Sequence, residues 1–459
     1  MRYFRPATVG LILILALAVA LIRPAGLDPQ QAAVFGVVLV TLSLWATGLV
    51  PGYVASTFFF TALLLGGLAA PELVFSGFSS TAMWLIVTGF VIGAAITHSG
   101  LGARMGALAL PHLSKSYPML IAGLMGLGMA LGFVMPSSMG RAAVLVPVGM
   151  ALADVLGLQK GSRGRTGIAV VIAFGTNMPS FAILPSNIPN VVLSGMAERV
   201  LGLHFGYADY LLLHYPVLGI VKAGAIVALV LAFFPATIAG LPATATPAAK
   251  PASGRRQLAL LGILLVTLAL WATDQIHGIN AAWVGLATAL VLMVPAFGFV
   301  PPPVFKGAVD FGVILFVSGA LALGLVVNAT GLGAVIAREV TAALPLAPGH
   351  DFRNFFSLAL LGSATSVFTT MPGVPAVLTP LAPDLAQATG FSVKAVLMTQ
   401  VIGFSTVVFP YQIGPLIVAM GLAGESTRPL LKMTLALTAL TLVLFIPLDF
   451  LWWKLLGEI

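Results

Sequence analysis

Apolar residues run along this chain in long blocks, most of them close to the ~20 residues that a helix needs to cross a bilayer, and polar positions are confined to the gaps. The blocks fall at 7–22, 31–50, 53–70, 82–97, 166–194, 210–234, 257–271, 281–299, 311–327, 392–423 and 430–451. Two further blocks, 119–156 and 355–388, each have room for two short helices and carry a polar break at the middle. In lipid every backbone group must be satisfied internally, and apolar blocks of this length are read as spanning helices. The pattern therefore predicts an all-α polytopic membrane protein with about 11 transmembrane helices plus two re-entrant hairpins.

The breaks are the informative part. The first reads Met135-Pro136-Ser137-Ser138-Met139-Gly140-Arg141 and the second Thr369-Thr370-Met371-Pro372-Gly373. Irregular backbone at membrane depth is tolerated only where it is buried in protein or lines a cavity. An arginine there needs a partner, a cavity or a ligand. Two of the long blocks are interrupted as well. Leu184-Pro185-Ser186-Asn187-Ile188-Pro189-Asn190 breaks 166–194, and Phe409-Pro410-Tyr411-Gln412-Ile413-Gly414-Pro415 breaks 392–423.

These signals occur twice in the same order. Val87-Thr88-Gly89 leading to Ser99-Gly100-Leu101-Gly102 returns as Val317-Ser318-Gly319 leading to Thr330-Gly331-Leu332-Gly333, and a tip and a second break follow each. An aperiodic stretch with Pro242, Pro247 and Pro251 among alanines lies between. The expected organisation is an N-terminal transmembrane helix in 1–30, a first repeat in 31–235 with its hairpin at about 117–156, a cytoplasmic linker in 236–256, and a second repeat in 257–459 with its hairpin at about 352–388. Each repeat holds five spans, an odd number, so the two copies are inverted repeats. Paired interruptions in inverted halves point to a substrate site near the midplane.

Charge refines the topology. Arg104, Lys115, Lys160, Arg163, Arg165, Lys250, Arg255, Arg256, Lys306, Arg428 and Lys432 fall on the side of the N-terminus, against Arg23, Arg199, Arg338, Arg353, Lys394 and Lys454 opposite. Basic residues concentrate in cytoplasmic loops, so the expectation is a cell inner (plasma) membrane protein with its N-terminus inside and its C-terminus outside. Arg23-Pro24 stands where a cleavable signal would need small residues, and 7–22 therefore reads as a span.

Only 7% of residues are charged, against about 25% in soluble domains, which excludes every soluble class. The net charge of +8 comes without a long basic run, pointing to anionic lipid rather than nucleic acid. With no cysteine there is no disulfide and no thiolate site or nucleophile.

Candidate substrate-binding residues are Ser137, Ser138, Arg141, Asn187, Asn190, Thr369, Thr370, Tyr411 and Gln412. The breaks hold no Asp or Glu. Helix N-termini, hydroxyls, amides and a forked guanidinium all suit an anion. A cation pathway would place carboxylates at these depths. Arg141 has two readings, a ligand-facing or ion-replacing charge and a structural pin on backbone carbonyls. The next carboxylate, Asp154, is roughly 20 Å further along a helix, so no local salt bridge accounts for it. Lys222 reads as snorkelling or pairing within its span, His98 as interfacial, and Trp452 and Trp453 as an interface belt.

Carried by these motifs, the chain resembles the divalent anion/sodium symporter family within the ion transporter superfamily. Members carry Ser-Asn-Thr at each hairpin tip with a proline ten positions after the serine. Here Ser137-Ser138-Met139 stands ten before Pro147, and Thr370-Met371-Pro372 ten before Pro380. The family's Gly-Thr-Pro-Pro-Asn breaks match Ser186-Asn187-Ile188-Pro189-Asn190 and, more loosely, Gln412-Ile413-Gly414-Pro415-Leu416. The resemblance implies a homodimer whose mobile domain carries a small anion across by an elevator movement, as a secondary active or facilitative transporter of a di- or monocarboxylate or a sulfate-like ion. It implies no cofactor beyond a coupling sodium ion or proton. Sodium ligands would be Ser137, Ser186 and Thr370. The family's tip asparagines, which help to hold sodium, are replaced here by Ser138 and Met371, so sodium coupling does not follow.

Two rival readings remain open at this stage. A cation/proton exchanger of the same superfamily would share the architecture. An intramembrane hydrolase would use Ser137 or Ser138 with His98 as base.

Overall fold

The computed structural model describes residues 26–102, 104–105, 115–238 and 254–459, together with positions 12, 14, 16, 18, 22 and 23. Most of the block 7–22 and of the linker 236–256 lies outside the described residues. Among the described residues there is no strand. Among them eight helices are long and apolar enough to cross a membrane, or nine when one sharply bent pair is counted as a span.

The first half contains α1 (Pro29–Thr47), α2 (Gly52–Leu65), α3 (Thr81–Ser99), α4 (Tyr117–Val134), α5 (Ser138–Val155), α6 (Arg163–Gly175), α7 (Ile188–Leu201) and α8 (Tyr207–Phe233). The second contains α9 (Gly254–Ala272), α10 (Ala281–Met293), α11 (Phe311–Ala329), α12 (Leu332–Ala343), α13 (Asp351–Thr369), α14 (Gly373–Thr389), α15 (Val393–Phe404), α16 (Gly414–Ala423) and α17 (Arg428–Leu456). Several of their starts are set by side-chain caps. Ser80, Ser116, Ser137, Ser162 and Ser392 each accept a hydrogen bond from the backbone N–H three residues on. Asp310 does the same at α11 for Gly312 and Val313.

Several elements differ from the apolar blocks. The block 53–70 stops at Leu65, because Gly67 takes φ +59° and turns the chain. The helix in 281–299 ends at Met293, two residues before a proline. Helix α12 has no apolar block of its own. It buries Leu332, Gly333 and Ala337 and exposes Arg338 and Glu339, the pattern of a surface helix.

Both predicted breaks turn the chain. Met135, Pro136 and Ser137 separate α4 from α5, and the two helices pack on each other. Each is 18 residues long and passes by itself as a candidate span, longer than the short helices expected from the sequence. Helices α13 and α14 meet at 116° across Thr370–Pro372. Thr370 there has φ +65° and ψ 167°, a conformation that is almost exclusive to glycine.

The early helices of the two halves cross-pack, α3 on α10 and α2 on α11. The late helices do likewise. The helix after the second-half break, α16, packs on α5, which leaves the first tip. The helix after the first-half break, α7, packs on α14, which leaves the second tip. Small residues let backbones approach closely in membranes, and the same device appears in each half. A Cβ on Gly128 of α4 would lie 2.7 Å from the Gly175 carbonyl of α6, and one on Gly403 of α15 would lie 2.6 Å from Gly362 Cα of α13.

Candidate functional site

At the first tip the chain leaves α4, runs extended through Met135–Ser137 and re-enters helix with Ser137 as its cap. Arg141 sits in the first turn, on the same face as Ser137 and Ser138, and is completely buried. Its guanidinium is saturated. Nε donates to the Thr176 carbonyl at 2.8 Å. Nη1 donates to the Met135 carbonyl and to Ser186 Oγ at 2.9 Å, and Nη2 donates to Ser138 Oγ at 2.8 Å. Both terminal nitrogens reach the Ser186 carbonyl at 3.3 Å. Five oxygens, three carbonyl and two hydroxyl, thus meet the five N–H donors of the fork. Among the described residues Arg141 makes no ion pair, while Asp154 pairs with Arg165 instead. The side chain ties the tip to the C-terminal end of α6 and to the break before α7.

That break is itself rigid. Ser186 Oγ donates to the Gly132 carbonyl at 2.7 Å. The Asn190 amide donates to the Ser180 and Ile183 carbonyls at 3.1 and 2.9 Å. Asn187 Nδ2 donates to Ser180 Oγ at 3.0 Å. Asn190 is fully buried and braces the backbone, whereas Asn187 borders a cavity.

This cavity, of about 350 Å³, lies between the first tip and the first-half break. Ser137, Ser138, Ser186 and Asn187 line it, and α16 reaches it at Pro415. Three helix N-termini therefore end on one space, those of α5, α7 and α16. Each carries a partial positive charge and unfilled N–H groups. Asp310 stands on the opposite wall with its carboxylate occupied by the first turn of α11. A larger cavity of about 690 Å³ lies beside α7 and is lined by Asp209 and Asp274, but no residue of either tip borders it.

The second-half candidates gather elsewhere, and none of them lines the 350 Å³ cavity. Gln412 Nε2 donates to Ser366 Oγ and Tyr411 Oη donates to the Val367 carbonyl, both at 2.7 Å. Thr369 Oγ1 bonds the Thr365 and Thr370 carbonyls. Break and tip of the second half are thus joined to each other, as they are in the first.

Sequence reasoning missed Thr176, Ser180 and Asp310. A signal existed for the first two, since Thr176-Asn177 and Ser180 flank Pro179 inside an otherwise apolar block. Asp310 stands between two blocks and looked like an ordinary loop residue. Lys222 does not snorkel. It is buried, and its Nζ donates to the Ser405 carbonyl of another helix at 2.7 Å.

Residues 6–459 match the family described as the sodium:sulfate symporter transmembrane region. The chain belongs to this family. It is a multi-pass membrane transporter and not an enzyme. Ser137 and His98 do border a common second cavity of about 370 Å³, so proximity alone would not have dismissed the hydrolase reading; membership of a transporter family does. A "Membrane protein" of Cupriavidus necator is 23% identical to this symporter-family chain over 98% of its length and 92% of the relative's. The "Putative malate transporter YflS" of Bacillus subtilis is 24% identical over 61% of the chain and 63% of that protein. The "Sodium-dependent dicarboxylate transporter SdcS" of Staphylococcus aureus is 23% identical over 45% and 42%. Among solved structures, that of the Alcanivorax borkumensis YdaH transporter superposes with a TM-score of 0.56 at 16% identity, covering 84% of this chain and 88% of that one, a likeness of fold alone.

Proposed function

We propose that the chain carries a small anion, a di- or monocarboxylate or a sulfate-like ion, bound where α5, α7 and α16 end on one cavity. The observation that carries this is the convergence of three helix N-termini on a space of about 350 Å³, backed by a buried guanidinium. The volume lies at the small end for ligand pockets. Relatives named for malate and dicarboxylate transport point the same way.

Arg141 serves as a fixed cation behind the anion. Three of its five oxygen partners are backbone carbonyls at unwound or terminal helix positions, the kind that coordinates sodium in transporters, so the guanidinium stands in for one such ion at the first tip. Ser137, Ser138 and Asn187 contact the anion, while Asn190 and Gln412 hold the breaks in shape. Thr369, Thr370 and Tyr411 close the site from the second tip when the carrier moves. The cross-packed early helices, α2 and α3 with α10 and α11, form the static scaffold of a homodimer. The hairpins and broken helices travel against it as an elevator, with the N-terminus cytoplasmic and the C-terminus outside.

A melting-temperature screen of the purified protein tests this reading. Malate, succinate, sulfate and phosphate are compared with and without sodium, because a ligand bound only to the native state raises stability by mass action. At least one anion is expected to stabilise in sodium-free buffer. Stabilisation by none of them, or only with sodium present, defeats the proposal.

A further inference from the structure

The chain buries a second cation that the anion site does not use. Lys222 is 1% exposed and holds the Ser405 carbonyl. Ser405 is the residue that ends α15, as Thr176, the partner of Arg141 Nε, ends α6. The first broken helix of each half, α6 and α15, thus ends on a buried cation, both supplied by the first half, where the helix dipole favours a positive charge. The two cations differ in chemistry. A guanidinium keeps its proton under all ordinary conditions, whereas a lysine ammonium can give its proton up.

Helix α8, which carries Lys222, packs against α17, which carries Asp449. Asp449 is fully buried, and neither of its carboxylate oxygens has a hydrogen-bond partner. A carboxylate ion without donors in apolar surroundings is costly, and binding a proton removes the charge. The two residues occupy related places. Lys222 directly follows the π-helical segment Tyr215–Val221 of α8, and Asp449 follows the π-helical segment Thr441–Phe445 of α17. Such segments are frequent at functional sites.

Further buried polar atoms without partners lie on the same helices and on α15. Trp453 Nε1, on the face of α17 that carries Asp449, has no partner, nor does His214 Nδ1 on α8. The side-chain amide of Gln400 on α15 is unpartnered at both ends. The other charges on the packed helices are occupied or outlying. Lys394 pairs with Glu458 and Lys454 with Asp351, and Lys432 lies over the Phe233 ring. Arg353 and Arg428 are exposed at helix starts, Arg165 pairs with Asp154 and Glu425, and Asp209 accepts from Gln275.

We infer that Asp449 and Lys222 form an intramembrane proton-binding site, so that the carrier moves a proton together with its anion. The proton adds to the Asp449 carboxylate on one side of the membrane and leaves it on the other, with Lys222 as the charge that the empty carboxylate faces. The inference rests on the carrier reading above and supplies its coupling ion.

The test uses the full chain in sodium-free liposomes loaded with the pH dye pyranine. Malate and sulfate are the probes, and radiolabel exchange of each against itself is measured in parallel. In the wild type, net anion uptake should acidify the lumen, and an inward proton gradient should drive accumulation. Asp449→Asn should keep exchange and lose both the acidification and the gradient-driven uptake. Lys222→Gln, which removes the charge that the empty carboxylate faces, should do the same. Exchange without acidification in the wild type overturns the inference and leaves the carrier reading intact. Retained proton-driven uptake in either folded variant also overturns it. Absence of exchange in the wild type removes the carrier reading, and this inference with it.

Discussion

Arg141 shows how one side chain can be chemically loud and sterically silent. It has no accessible surface and no spare donor, so it acts on the cavity through its charge and through the backbone it ties together. Arg141→Ala is expected to lose the anion-induced rise in melting temperature. Leaving buried acceptors unpaired costs about 1–3 kcal/mol each, so the apo protein should melt lower as well. Arg141→Lys should recover part of both, since a point charge cannot meet five oxygens at once. Full anion affinity in a folded alanine variant would show that the residue is a pin and nothing more. Thr370 makes the opposite case, a residue whose backbone is strained. Strain of this kind costs about 1–3 kcal/mol, and Thr370→Gly should relieve it, raising the melting temperature measured by differential scanning fluorimetry.

At the scale of elements, hydropathy made the long helices legible to within a few residues, and prolines among hydroxyl or amide side chains marked all four breaks. What it hid has a physical reason in each case. Helix α12 has an amphipathic period without an apolar block. The α4–α5 turn was visible, but each of its helices has 18 residues where two short ones were expected, and α5 runs on through Pro147. The Arg141 contacts with Thr176 and Ser186 span 35 and 45 residues, and no local pattern reports a pairing at that distance. The glycine crossings were equally invisible, since a glycine in a membrane helix carries no sign of what faces it. They carry a firm prediction all the same. Gly403→Ala must push α15 away from Gly362 of α13, and overpacking of this sort costs about 1–3 kcal/mol. Its melting temperature should fall, whereas Gly262→Ala, whose Cβ would meet nothing within 4 Å, should be neutral.

At the scale of the whole molecule, the two halves interlock so that neither the proposed anion cavity nor the proposed scaffold belongs to one half alone. The cavity needs α16 from the second half to close the space between α5 and α7. The saturated guanidinium also has an electrical consequence. A charge built into the polypeptide crosses with the carrier and returns with it, so over a closed cycle Arg141 contributes no current. A sodium ion in the same ring of oxygens would be left behind on the far side at every turn. Moving one elementary charge through 100 mV is worth about 2.3 kcal/mol. A divalent anion carried alone would therefore be pushed outward by the inside-negative potential of a living membrane, and each proton accepted at Asp449 would cancel half of that push. Current recorded from liposomes on a solid support should accordingly be negative in the direction of anion movement, and larger in Asp449→Asn than in the wild type.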